Sequence, residues 1–348
     1  MYTKRAFFFF CLLLTSVCAL ADTIVLKEQH PTQYTIVKGD TLWDIASRFL
    51  RDPWRWPDIW HVNPQIANPH LIYPGDVVVL TYKNGRPQLE LRRGGQAGRR
   101  VVKLSPKIRQ TSITQAIPSI PLDAIQQFLS RPAVVSENTL KTAPYIVASL
   151  DEHLIAGQND KVYARGIVPN SHNQFTIVRP GKAYLNPNDK KDILGYEAIY
   201  IGESIVKKYG DPTTLYIAQS SRETLIGDRL IPASDKPLGF NFIPHAPSNP
   251  VNGQIISVID GVSRIGQYQV VAVNLGTEHG MESGHMLAVH QAGKMVRDII
   301  GENRSEMVKL PDEKSGYLMV FRPFDRLSYA LVMEANRAMR VFDKVTNP

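Results

Sequence analysis

Cysteine is nearly absent from this 348-residue sequence, and both copies, Cys11 and Cys18, fall within the first 21 residues. From Asp22 onward there is no disulfide, no thiolate metal site and no cysteine nucleophile. Long apolar runs are also missing. The longest, Ala6 to Ala19, is shorter than the about 20 residues a straight bilayer-spanning helix needs. Glycine (23) and proline (24) are too few and too scattered for a collagen-like chain, and 43% apolar against 21% charged residues excludes disorder throughout. The length allows two or three domains that must fold by burial alone.

The short apolar run follows Lys4 and Arg5 and ends at Ala19-Leu20-Ala21, small residues two apart. That is the pattern of a secretory signal, so residues 1–21 read as the signal and Asp22 as the mature N-terminus. An uncleaved membrane anchor is the alternative. Thr15-Ser16-Val17 before Cys18 makes a poor lipidation box.

The formal charge of +8 is not spread evenly. Residues 82–112 carry nine basic side chains against the single acid Glu90, so this stretch accounts for the basic character and the rest of the mature chain is slightly acidic. With Gly85, Gly94, Gly95 and Gly98, and few large apolar residues before Val101, it reads as a flexible linker extended by self-repulsion. Its charge serves either as a solvated spacer or as an attraction for anionic envelope polymers.

Residues 33–81 are densely punctuated. Tyr34 to Lys38 is a short β-prone run that Gly39 breaks. Asp40 can cap a helix whose apolar face is Leu42, Ile45, Ala46 and Phe49. A Trp/Pro-rich insert spans Arg51 to Pro57. A second helix runs from Asp58 to Val62 and stops before Asn63-Pro64. Pro74-Gly75-Asp76 turns the chain into a strand over Val77 to Leu80. The order is β-α-α-β. The blocks Tyr34-Thr-Ile-Val-Lys-Gly-Asp-Thr-Leu-Trp-Asp-Ile-Ala46, Ile59-Trp-His-Val-Asn63 and Leu71-Ile-Tyr-Pro-Gly-Asp-Val-Val-Val-Leu80 resemble a lysin motif (LysM) domain, over about 50 of the 348 residues. The resemblance implies two helices on one side of a two-stranded antiparallel sheet. It implies binding of N-acetylglucosamine-containing glycans, such as peptidoglycan, in a shallow groove between two turns. The groove residues it carries over are Gly39, Asp40, Thr41, Leu42, Asn68, Leu71 and Ile72. For Asp40 and Leu42, helix cap and core compete evenly with ligand contact. The Arg51–Pro57 insert departs from the shortest modules.

All four tryptophans, Trp43, Trp54, Trp56 and Trp60, lie in this module. They read mainly as core builders for a small cysteine-free fold. Trp43 is the expected exception, because it lies off the Leu42/Ile45/Phe49 face. No second Gly-Asp-Thr-Leu block occurs, so one chain offers one module. Its affinity should be micromolar to millimolar, about −8 to −4 kcal/mol.

The remainder alternates short β-prone runs with turns, in a β-rich domain over 113–236, a Pro-rich connection over 237–252 and a second β-rich unit over 253–348. A short helix is expected within Leu122 to Leu129. A faint echo suggests that the β units are related. Gly195-Tyr196 followed by Asp228-Arg-Leu-Ile-Pro232 parallels Gly316-Tyr317 followed by Asp343-Lys-Val-Thr-Asn-Pro348, with unequal offsets of 121 for the glycines and 115 for the aspartates.

Catalytic sets are incomplete. Ser204-Ile-Val-Lys207 matches S-x-x-K, but Ser171-His-Asn173 precedes it and no K-T-G follows; a strand explains it better. His279 and His285 flank Glu282 in a glycine-rich turn, a weak metal candidate without H-E-x-x-H. No phosphate-binding glycine loop appears. The fold class is α+β: a LysM module, a basic linker and a mainly-β C-terminal region. The expected function is a non-catalytic, exported peptidoglycan-binding protein, periplasmic or wall-associated, that anchors a β-rich scaffold and has no cofactor or metal. Its partners are glycan strands, anionic polymers through the linker and an unidentified envelope protein. A wall hydrolase with an unfamiliar β-rich catalytic domain, acting through Glu203 or His279, is the alternative. Polyanion binding through residues 82–112 is a third reading, but the stretch lacks the interleaved aromatics of specific nucleic-acid recognition.

Overall fold

The computed structural model describes residues 24–60, 72–92, 117–129, 134–150, 155–233, 242–259, 265–300 and 306–348. The chain forms two compact units, Met1–Ala116 and Ile117–Pro348. The signal segment lies outside the described residues.

The first unit contains β1 (Gln33–Thr35), α1 (Leu42–Phe49), α2 (Trp56–Trp60), β2 (Val77–Lys83) and β3 (Arg86–Arg92). The cap of α1 is Thr41, not Asp40. Its hydroxyl accepts the Asp44 N–H at 3.1 Å, while the Asp44 carboxylate accepts the Thr41 N–H at 3.0 Å. This reciprocal pair satisfies two donors that the helix leaves open. Leu42, Ile45, Ala46 and Phe49 are buried, as their spacing demands. Trp43 is buried as well, so it is no exception; Trp56 and Trp60 join it, their rings edge to face at 6.4 Å. Trp54 alone is half-buried. Residues 25–27 strap the end of α1 through Lys27 N–H to Phe49 O (2.9 Å) and Arg51 N–H to Val25 O (3.0 Å).

The sheet has three strands, in the order β1-β2-β3, where the resemblance implies two. Residues 82–92 are therefore not linker. Asn84 (φ 52°) and Gly85 (φ 75°) form a tight two-residue turn, the left-handed pair that suits a hairpin. Leu89 is then buried on β3. The many basic side chains of this segment obscured its alternation. Pro87, which cannot donate to a ladder, fits because β3 is an edge strand. The basic residues from 93 to 112 lie outside the described residues.

The second unit opens with buried Ile117, Ile120, Ile125 and Leu129, the last on the short α3 (Gln126–Leu129). After β4 (Val134–Val135) and α4 (Glu137–Thr142) come β5 (Tyr145–Ser149), β6 (Lys161–Arg165), β7 (Gln174–Asn186), β8 (Asp189–Lys208), β9 (Thr213–Ser220) and β10 (Arg229–Pro232). They pair in the order β8-β7-β10-β5-β6-β9, and the β8–β9 pairing closes the ring, with β4 added on β8. Then follow β11 (Asn252–Val258), β12 (Val270–Val273), β13 (Met286–Gln291), β14 (Met295–Arg297), β15 (Met307–Lys309), β16 (Glu313–Pro323), β17 (Ser328–Ala335) and β18 (Lys344–Thr346). All but β14 and β15 form a closed barrel, β11-β12-β17-β16-β13-β18.

The two rings have one topology. β5 corresponds to β11, β6 to β12, β7 to β13, β8 to β16, β9 to β17 and β10 to β18. Registers agree too: Val162 faces Leu215 as Val271 faces Ala330, and Ile177 faces Leu230 as Val289 faces Val345. These residues fill the two barrel interiors. The two β units thus share strand order and register, but the glycine pairing in the echo is shifted. The counterpart of Gly316 is Gly202. Gly202 lies opposite Ser220 and Gly316 opposite Ala335. A Cβ on either would strike the preceding carbonyl, Gln219 O at 2.3 Å or Glu334 O at 1.9 Å.

One turn recurs through both units. The third residue has positive φ, and the fourth bonds back to the first through both its N–H and its side chain. It occurs at Val37–Asp40, Tyr73–Asp76, Gly157–Asp160, Leu225–Asp228, Gly266–Gln269, Glu282–His285 and Arg340–Asp343. Such turns want glycine or asparagine third, yet Tyr268 and Phe342 take that place here.

Candidate functional site

Two of these turns lie side by side in the first unit. The Ile36 N–H donates to Asp76 O at 2.9 Å, and the Gly75 N–H donates to Ile36 O at 2.8 Å. The turn ending at Asp40 thus adjoins the turn ending at Asp76. Gly39 is exposed at its apex with φ 99° and no atom within 4 Å of where a Cβ would stand. A flat ligand can reach the backbone there. The Asp40 carboxylate accepts the Val37 N–H at 2.9 Å and the Tyr34 hydroxyl at 2.9 Å. It therefore fixes the loop more than it faces solvent. Burial, and then the Asp40 carboxylate, raise the Tyr34 phenol above its usual pKa. The Arg48 guanidinium stands 4.2 Å from the Tyr34 ring centre. An open cleft of about 890 Å³ adjoins the loop, lined by Lys27, His30, Tyr34, Asp40, Asp44 and Arg48.

Of the five groove residues among the described residues, only Gly39 is exposed. Asp40 and Thr41 are buried cap and turn groups, and Leu42 and Ile72 are core side chains. Asn68 and Leu71 lie outside the described residues. Tyr34 and Arg48 were missed as groove neighbours. Their contact joins β1 to the last turn of α1, which periodicity within either element does not reveal.

The LysM domain family matches residues 34–81. The chain therefore carries a LysM domain near its N-terminus, followed by a mainly-β region. Over 59 residues it is 44% identical to the uncharacterized protein YqbP of Bacillus subtilis (strain 168), a stretch covering 14% of this chain and 27% of that protein. The match thus spans about a quarter of that relative. LysM domains generally bind peptidoglycan and other N-acetylglucosamine glycans, and they occur in cell-wall-associated proteins. No helix among the described residues is long and apolar enough to cross a membrane.

The remaining candidates resolve into structure. The Ser204 hydroxyl is buried on β8 and donates to Phe175 O at 3.1 Å, as a strand residue. Glu203 accepts the Thr176 hydroxyl. His279 spends Nδ1 on the Gly276 N–H. Glu282 and His285 do meet a second histidine, but it is His245, with ligand atoms of all three within 4.8 Å of one another. His285 Nδ1 accepts the Glu282 N–H at 3.1 Å to close its turn. Neutral His285 therefore carries its proton on Nε2 and has no lone pair there for a metal.

Burial, and then the nearby His245, hold His285 below its ordinary 6.5. With a depressed folded pKa, the unfolded chain takes up the proton first, so stability is full above about pH 6.5 and declines as pH falls through the folded pKa. Melting temperature should drop as pH falls below about 6.5. His285→Asn, which keeps an acceptor without the titration, should flatten that slope; an unchanged slope would remove His285 as its source.

Proposed function

We propose that this chain is a non-catalytic peptidoglycan-binding protein of the cell envelope. Residues 1–21 direct its export. The LysM module grips N-acetylglucosamine-containing strands at the paired turns, and the two barrels provide a scaffold or partner surface. The observation that carries this reading is the pair of adjacent Gly-Asp turns, with Gly39 open at the apex of the first. Free N–H and C=O groups at such an apex suit an acetamido group, and the absence of a Cβ allows close approach. The Gly39–Leu42 loop, with Asn68, Leu71 and Ile72, is the contact surface in this reading.

The test is co-sedimentation of the chain from Asp22 onward with isolated sacculi, with analysis of soluble products. Binding without release of muropeptides is expected. Asp40→Ala removes the acceptor for Val37 and Tyr34 and should weaken binding about tenfold, near 1.4 kcal/mol, while the barrels melt unchanged. Failure of the wild type to pellet would overturn the binding role, and release of muropeptides would overturn the non-catalytic one.

A further inference from the structure

Each barrel sends out a hairpin arm, and the two arms meet different fates. The first arm is the far part of β7 and β8, beyond Val178. It lies against the second barrel: the Tyr184 and Tyr329 hydroxyls bond at 2.9 Å in a buried site, and Arg326 grips Asp192 with two bonds of 2.8 Å. That grip holds the Asp192 carboxyl at about 2. The second arm is its topological counterpart, leaving the barrel between β13 and β16. Leu310 N–H donates to Lys294 O at 3.0 Å, so the arm continues the barrel hairpin into β14 and β15.

This second arm is apolar and uncovered. Met295, Val296, Ile299, Ile300, Met307 and Val308 are all exposed, Ile300 at 89%. Consecutive strand residues point to opposite faces, so the pairs Met295/Val296 and Met307/Val308 make both faces apolar. An isolated two-stranded hairpin is marginal in water, and a two-sided apolar one gains most from being covered.

We propose that the β14–β15 hairpin is a self-association element that pairs with the same hairpin of a second copy of this chain. The charges favour that occupant. Among the described residues of the arm, Lys294, Arg297 and Lys309 balance Asp298, Glu306 and Asp312, so the arm has no net attraction for an anionic bilayer or wall polymer. Toward the base, Lys294 and Lys309 outnumber Asp312; toward the tip, Asp298 and Glu306, joined through the Asp298 N–H and Glu306 O, outnumber Arg297, so the described base carries a net positive and the described tip a net negative charge. A two-fold axis that sets two arms antiparallel brings the base cation of each beside the tip acids of the other, the self-complementarity such an interface requires. The first arm shows within one chain that this element docks on another surface of the same fold. The consequence, which rests on the glycan-binding reading, is a particle with two LysM modules, which converts weak single-site binding into avidity.

Sedimentation velocity of the chain from Asp22 onward, from about 1 to 100 μM, tests the pairing itself without glycan. A dimer is expected. Val296→Glu with Ile300→Glu should yield a monomer with unchanged melting, whereas Val168→Glu, at a 66% exposed site on the first barrel, should remain dimeric. Since no cysteine follows residue 21, Val308→Cys should crosslink two chains with a short bis-maleimide and Val168→Cys should not. A wild type that is monomeric throughout, a double variant that still dimerises, absence of the Val308→Cys crosslink, or a monomer that floats with phosphatidylglycerol vesicles through the arm would each overturn the proposal. The double variant should also lose at least tenfold in apparent affinity for sacculi while its single-site binding to chitotetraose stays the same; absence of chitotetraose binding by the wild type would instead count against the glycan reading alone.

Discussion

Gly316→Ala should cost the second barrel about 4 kcal/mol or more, enough to prevent it from folding in the intact chain. The added Cβ would stand 1.9 Å from Glu334 O and 2.6 Å from the Met339 methyl. A carbonyl in a ladder cannot rotate away as a side-chain end can. The two backbones approach closely at this point, and the Asn336 and Arg337 N–H groups both return to Ser315 O beside it. Gly202→Ala should do the same to the first barrel, since Gln219 O occupies the equivalent place and the Ser221 and Arg222 N–H groups both return to Ile201 O. Gly195→Ala should be milder. Its closest neighbour is the Val134 Cγ1 at 2.9 Å, the end of a side chain on a two-residue strand. Urea unfolding with amide exchange on the intact chain separates the two barrels. If Gly195→Ala proved as damaging as Gly316→Ala and Gly202→Ala did not, the sequence echo would have aligned the repeats correctly and the register would have misled.

That contrast marks how far the sequence could be read. Among the short β-prone runs of the C-terminal region, Lys161 to Arg165 falls inside a strand whose burial alternates, while Phe175 to Val178, Met286 to Val289 and Ala330 to Glu334 fall inside strands buried on both faces, which read as short unbroken apolar runs. The aspartates of the echo matched at the correct offset because Asp228 and Asp343 occupy the same turn, and a side chain that must accept a specific N–H leaves a residue-type signature. The glycines misled because Gly-Tyr also occurs at 195, where a Cβ would meet the Val134 side chain on β4 first and the nearest carbonyl, Val135 O, only at 3.5 Å. β10 and β18 were unreadable as strands: each is three or four residues long and is defined by its neighbours in the closed ring. Lys83 to Arg92 failed for the opposite reason, since a local hairpin was present but its charge dominated the reading. In the module, the helix face, the Gly-Asp turns and the β-α-α-β order were all legible. The adjacency of the two turns was not, because it depends on hydrogen bonds from Ile36 to Gly75 and Asp76 across nearly forty residues.

The two turn aspartates of the barrels offer the sharpest energetic comparison, because topology makes them equivalent and one arginine makes them different. Asp228 is buried, accepts the Leu225 N–H at 2.8 Å, and takes two bonds from Arg179 at 2.8 and 2.9 Å. Asp228→Ala orphans the Leu225 N–H and leaves the guanidinium only its bond to Glu223 O. The expected loss is about 2–3 kcal/mol; the side chain of Arg179 is 32% exposed, which reduces the penalty below that of a fully enclosed pair. Asp343 closes the same turn through the Arg340 N–H at 2.8 Å, but burial outweighs that bond and raises its carboxyl above the ordinary 3.8. A raised folded pKa means the native state holds the proton longer than the unfolded chain, so this group's contribution falls as pH rises from about 3.8 through the folded value. Asp343→Asn keeps an oxygen for the Arg340 N–H and removes the buried charge. At pH 7 it should therefore be neutral or stabilising by up to about 1 kcal/mol, whereas Asp228→Asn should destabilise, because it halves the grip of Arg179. Paired urea titrations at pH 5 and 7 distinguish the two. Equal responses at both positions would mean that the turn, rather than the arginine, sets the energy of these carboxylates.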